Sequence, residues 1–217
     1  MTESPTPRLG SVHLEDLASF VLMSGCAGQR AEGARPLSET ARARLRARLK
    51  QIGRANWPAT IKDDPLLRRG YTLQQCCRLI TALLLIDAHL NPSVAIPIAR
   101  AGEQLFLRAM ISRMAPDNGT QRDSADDLIA VIVLAELVEL VDPDQAVSPS
   151  SALRLLARKD LPMLWDRPHG LKRPGQRLVV DIGAAAASMW LWVSERRLLP
   201  QDALWELAST AGLNNKL

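Results

Sequence analysis

The side chains best suited to catalysis or metal binding are few in this chain and badly placed for it. His13, His89 and His169 lie far apart, and none has a Cys or His at a ligand-like spacing. Cys76 and Cys77 are adjacent on an expected helix and point about 100° apart, so they read as core packing rather than as half of a metal site. Cys26, on a Gly/Ala loop, has no identifiable base and reads as an exposed, inert thiol. The stretch RLVVDIG ends an expected strand on Asp181, where α/β enzymes place acids. A lone Asp there equally reads as a helix N-cap. Asp126-Asp127 and Asp142-x-Asp144 lack the ligand count of a calcium loop and read as a solvated acidic face. No Gly-rich phosphate loop follows a strand. The expectation is a protein with no catalytic set, no metal and no cofactor, hence not an enzyme.

What the chain has in quantity is arginine. Of 27 basic residues 22 are Arg, the side chain that makes bidentate contacts to phosphates and bases, although a GC-rich genome would give the same bias. The net charge of +4 is unevenly distributed: residues 38–115 carry +8 and residues 116–147 carry −7. A basic block of this size points to a polyanion partner. The alternative is a solvated face opposite the chain's own acidic block.

The densest part is ARARLRARLK. Ala, Leu, Arg and Lys favour helix, and no β-branched residue interrupts, so a helix over Glu39–Ile52 with Ser38 as N-cap is expected. Ala41, Leu45, Leu49 and Ile52 then form one narrow apolar stripe. Arg42, Arg46 and Lys50 make a ridge on one flank, Arg44 and Arg48 lie on the other, and Ala43 and Ala47 sit between without bulk. Such a helix can dock by one edge and press a small-residue, Arg-flanked face into a groove.

Composition bounds the rest. At 217 residues, 47% hydrophobic and 23% charged, the chain reads as one globular domain or two small ones sharing a core. Three Cys exclude a secreted disulfide scaffold, no apolar run reaches a membrane span, and MTESPTPRLG is not a signal peptide. A cytoplasmic protein is the default expectation. The elements around the basic helix read as mainly α (α+β). Residues 1–11 form a flexible tail, and His13–Met23 a helix stopped by Ser24-Gly25 before a loop over 25–36. Residues 53–70 are irregular, with extended candidates at Ala59–Lys62 and Leu66–Arg69. Thr72 with Gln75 forms a capping box, and Tyr71 with Cys76 a hydrophobic staple, for an apolar helix to His89. Asn91-Pro92 opens a helix to Met114, kinked at Pro97. A linker over 116–127 precedes a strand Leu128–Leu134, an undecided stretch Leu137–Val141 and a short helix Pro149–Ala157. A Pro-rich loop Leu161–Gly175, a strand Arg177–Ile182, a helix Ala184–Arg197 and a last helix from Pro200 follow. Met189, Trp190, Trp192 and Trp205 give this last third a large apolar surface, read either as core or as a homodimer interface.

The segment RRGYTLQQCCRLITALLLIDAHLNPSVAIPIARAGE (Arg68–Glu103) resembles the second half of a MerR-type winged helix-turn-helix domain. Gly70-Tyr71-Thr72 matches the wing exit, Leu73–His89 the third helix, and Leu90-Asn91-Pro92-Ser93 with Ala95-Ile96 the turn into the fourth. The resemblance implies a winged helix-turn-helix domain over 12–115. His13–Met23 would be its first helix, Glu39–Ile52 its recognition helix and Ala59–Arg69 its wing. A small α+β domain would follow over 128–217. It departs from the family in the long turn over 24–37, in Gln75 where an acid is usual, and in lacking both the long C-terminal coiled-coil helix and the metal-sensing Cys pattern.

The function expected from this is sequence-specific binding of double-stranded DNA by a bacterial or phage transcriptional regulator. Arg42, Ala43, Arg46, Ala47 and Lys50 would face the major groove with Arg44 and Arg48 beside them. Arg54, Lys62, Arg68 and Arg69, with Tyr71 at the wing exit, would hold the backbone. About six neutralised phosphates give a log–log salt slope near −5. A homodimer would set half-site spacing, with RNA polymerase as a further partner. Two alternatives stay open: a phage or plasmid replication, partition or packaging adaptor, and a small-molecule binder or protein-interaction module using the C-terminal part.

Overall fold

The computed structural model describes residues 6–27, 37–114, 127–133, 153–162, 177–200 and 202–210. It is mostly helical with a small three-stranded antiparallel sheet. Five helices come first: α1 (Ser11–Ala27), α2 (Glu39–Arg54), α3 (Leu73–Asp87), α4 (Pro92–Ala101) and α5 (Glu103–Met114). Strands β1 (Leu128–Val133), β2 (Leu153–Ala157) and β3 (Arg177–Asp181) follow, then α6 (Ile182–Glu195) and α7 (Ala203–Thr210). Among the described residues no helix is long and apolar enough to cross a membrane.

Local chemistry starts several of these elements where the sequence places them. The Ser38 hydroxyl accepts from the Ala41 amide and caps α2. At α3 the capping box is complete: Thr72 Oγ1 accepts from the Gln75 amide, and Gln75 Oε1 accepts from the Thr72 amide. Asn91 caps α4 with Pro92 in the first turn. Asp181 caps α6 by accepting from the Ala184 amide at 2.9 Å, which is the structural one of its two readings.

Helix α3 is the axis of the core. Cys76, Cys77, Ile80, Ala82 and Leu85 are fully buried, and burial alone pushes the Cys76 thiol up to about 12. The core runs without interruption from Leu9 to Ala208. Helix α6 joins the two halves: it packs against both α1 and α5, and its Ala185 and Ala186 allow close approach. In the sheet β1 is central, paired antiparallel with β2 on one side and β3 on the other. Ala130 and Ile132 join the helical core, and Ile129 and Val131 are buried as well, which accounts for the unbroken apolar run.

Several expectations are corrected. Helix α1 runs through Ser24 and Gly25 to Ala27, because one Gly costs only about 1 kcal/mol relative to Ala and does not end a helix anchored by Leu14, Leu17 and Val21. Cys26 is therefore helical, and its side chain lies outside the described residues. Residues 6–10 are no loose tail, since Leu9 is 1% exposed. The helix expected over Pro149–Ala157 is, from Leu153 on, strand β2: Leu153 is buried and Arg154 exposed, and pairing with β1 outweighs helix propensity. Leu137–Val141, most of Leu161–Gly175, residues 28–36, and Asp126, Asp142 and Asp144 lie outside the described residues. Met189 and Trp192 are 0% and 2% exposed within this chain, so they pack its own core and present no face to a second copy. Trp190 is half-buried, and the Trp205 side chain lies outside the described residues.

The one helix expected from Asn91-Pro92 to Met114 is two, α4, with Pro97 inside it, and α5, separated at Gly102. A Cβ there would stand 2.3 Å from Leu153 Cδ2 and 2.8 Å from Phe106 Cε2, so strand β2 seats its first side chain where Gly102 leaves room. Gly102→Ala is expected to cost about 1–3 kcal/mol by overpacking. Gly53→Ala, where an added Cβ meets nothing within 4 Å, should stabilise α2 by about 0.5–1 kcal/mol. Urea unfolding midpoints of the two variants measure this, and a neutral Gly102→Ala would show that β2 does not press on this turn.

Candidate nucleic-acid interface

Helix α2 buries Leu45 and Ile52 and leaves the rest of its circumference to charge. One flank turns toward α1. Arg46 Nε donates to Glu15 Oε2 at 2.8 Å, and Arg42 Nη1 stands 3.4 Å from Asp16 and 3.6 Å from Glu15. The hydrogen bond to Glu15, then its charge, hold the Arg46 guanidinium above its usual range. Two of the three cations of the expected groove-facing ridge, Arg42 and Arg46, are thus engaged by carboxylates of the neighbouring helix, which relieves the like-charge repulsion along α2. Local sequence carries no sign of this pairing, because Glu15 and Asp16 sit more than two dozen residues away.

The outward face and the opposite flank differ. Ala43, Arg44, Ala47, Arg48, Lys50 and Arg54 are all exposed. Arg48 Nη1 donates to Gln51 Oε1 at 3.2 Å. Among the described residues Arg44, Arg48, Lys50 and Arg54 form no ion pair.

Past Arg54 the chain does not form the two extended pieces expected of a wing. Residues 59–69 make turns and a 3-10 turn at Leu67–Arg69, and the single bridge in this region joins Leu9 to Tyr71. Two constraints give it shape. At its start Trp57 is buried, with Nε1 donating to the Arg78 carbonyl at 3.1 Å and the guanidiniums of Arg78 and Arg100 lying 5.8 and 5.5 Å from its ring centre. Arg78 is also paired with Glu103, its Nε donating at 2.8 Å.

Farther on, Asp64 is gripped from three directions. Arg8 reaches it bidentately at 2.7 and 2.9 Å, Gln75 Nε2 donates at 2.7 Å and the Leu66 amide at 3.0 Å. Arg8 also donates to the Gly70 carbonyl, while Leu9 and Tyr71 exchange two backbone hydrogen bonds of 2.8 Å. Fixed in this way, the segment leaves Lys62, Arg68 and Arg69 exposed and without ion pairs among the described residues. Tyr71 is half-buried by the same bridge, and burial raises its hydroxyl above the usual range.

The Arg8–Asp64–Gln75 clamp was missed in the sequence. In the sequence Gln75 stands out as a capping residue and as a departure from the resembled family, yet its amide serves both ends: the oxygen accepts from Thr72 and the nitrogen donates to Asp64. Among the described residues no group of three or more His, Cys, Asp or Glu could hold a metal ion. No family model matches this chain, and neither the curated proteins nor the solved structures yield a match.

The Asp64 carboxyl is held below the usual carboxylate range, first by the Arg8 hydrogen bond and then by those from Gln75 and Leu66, against an opposing desolvation. A depressed carboxylate stabilises the fold above its unfolded value near 3.9, and this contribution fades as pH falls through the folded value. The stability deficit of Asp64→Asn relative to wild type should therefore be largest at neutral pH and shrink in acid. Chemical denaturation from pH 7 down to pH 3 measures it. A deficit that stays constant with pH would mean that the charge of Asp64 contributes nothing.

Proposed function

We propose that this chain binds duplex DNA through the exposed face of α2 and the clamped segment after it, as a transcriptional regulator. The observation that carries the reading is the split among its cations. Arg42 and Arg46 are neutralised by α1, whereas Arg44, Arg48, Lys50, Arg54, Lys62, Arg68 and Arg69 stand exposed without ion pairs among the described residues, on one helix and the segment that leaves it. Seven solvated cations on a rigid frame suit a phosphate backbone, whose counterions they release on binding. Ala43 and Ala47, exposed and small, let the helix approach a groove closely, with Lys50 and Gln51 beside them to reach base edges.

The proposed docking face is rotated from the one expected in the sequence. It is centred on Ala43, Ala47 and Arg54 and leans toward Arg44 and Arg48, while Arg42 and Arg46 brace α2 against α1. The wing contact becomes a turn bearing Lys62, Arg68 and Arg69.

Fluorescence anisotropy on random-sequence and genomic duplexes across salt concentrations tests this. Wild type should show a steep negative log–log slope. Combined Arg44→Ala, Arg48→Ala and Arg54→Ala should flatten the slope by about 0.9 per lost phosphate contact, roughly 2–3 in all. Glu15→Gln, which frees Arg46, should leave the slope unchanged or steepen it. A flat wild-type slope would overturn the proposal.

A further inference from the structure

A groove opens where α1, α2 and α3 meet. Its lining includes the small side chains of Ala41 on α2 and Ser19 on α1, and it holds about 390 Å³ of space. That is within the range of about 300–1,000 Å³ typical of small-molecule sites. Its walls are apolar, with Leu22 and Met23 from α1, Leu37 ahead of α2, and Ile86 from α3. Its ionic groups are divided between opposite walls. Arg44 and Arg48 come from α2, and Asp87 and His89 from the end of α3, where His89 takes a left-handed backbone conformation at φ 69°. Among the described residues neither Arg has a carboxylate partner, and Arg48 is bonded only to the neutral Gln51.

We infer that this groove binds a small amphipathic monocarboxylate, with its acid group on Arg44 and Arg48 and its apolar body along Leu22, Met23, Leu37 and Ile86. Two guanidiniums one helical turn apart offer a planar, charge-assisted seat for one carboxylate. Asp87 on the facing wall repels a second negative charge, so a monoanion fits and a dianion does not. The apolar walls disfavour inorganic phosphate, which has nothing to place against them. The site stands independently of the DNA reading, with which it shares Arg44 and Arg48. Where that reading holds, a bound carboxylate withdraws both arginines from phosphate contact, and the ligand is a negative effector of DNA binding.

Calorimetric titration of the full chain, without DNA, tests the site with decanoate and its uncharged counterpart decanol. Decanoate should bind saturably at one site, and decanol at least about tenfold more weakly, the margin expected for charge-assisted hydrogen bonds. Arg44→Ala with Arg48→Ala should lose about tenfold or more. Asp87→Asn should bind decanoate more tightly. Met23→Trp, at an exposed position where bulk is tolerated by the fold, should block the groove while the urea midpoint stays unchanged. The inference is overturned by no saturable decanoate binding up to millimolar concentration, by equal affinity for decanoate and decanol, or by indifference to the two arginine substitutions. Because DNA is absent from the titration, its result is separate from that of the salt-slope experiment.

Discussion

The sheet is fastened to the helices through one buried carboxylate. Asp127, 7% exposed at the entrance to β1, accepts from Arg113 of α5 at 3.2 Å and lies 3.8 Å from Arg158. Its carbonyl accepts from the Arg158 amide, and the Arg158 guanidinium continues to Asp181, the cap of α6. A Cβ on Gly183 would stand 2.6 Å from the Asp127 Cβ, so the first turn of α6 is placed against the same residue. Four elements thus converge on one charge. Removing either partner would leave an uncompensated charge in the interior, which costs more than the pair itself contributes. By sequence alone Asp127 reads as part of a solvated acidic face. Two arginines from distant parts of the chain make it an interior residue instead.

From that junction the rest of the architecture follows. With β3 held at Asp181, α6 starts at a fixed point and runs between α1 and α5, where its small residues let both helices close on it. With α1 held by α6, Glu15 and Asp16 stand where α2 needs them, and two of its arginines are neutralised. The exposed cations that remain are therefore the product of a chain of packing contacts that begins at the far end of the molecule.

What could be read from the sequence was the local part. Ser38, Thr72 with Gln75, Asn91 and Pro92 mark helix starts because a cap is a contact between residues two or three apart. The buried face of α3 and the strands β1 and β3 followed from apolar patterning alone. The errors lie where distant contacts decide. Strand β2 exists because β1 pairs with it, and the helix break falls at Gly102, where Leu153 leaves no room for a Cβ. Of the two readings of Trp192, core and interface, its burial under contacts from Arg196 and His13 supports the core. At the candidate interface the residue types were legible and their allocation was not. Within α2 only Glu39, 3.6 Å from Arg46, sets one of these arginines apart, and the division becomes clear once α1 is in place.

The contact between α1 and α6 also has a consequence in time. Leu14, Leu17 and Val21 leave the ribosome well before the helix that packs against α1, which lies more than 150 residues later. Until α6 has been made, the apolar face of α1 is only partly covered, by α3 among others. Contacts of such long sequence separation are slow to form and leave apolar surface open meanwhile. The same helix that steadies the basic face in the finished protein is thus open to misassociation while the chain is being made.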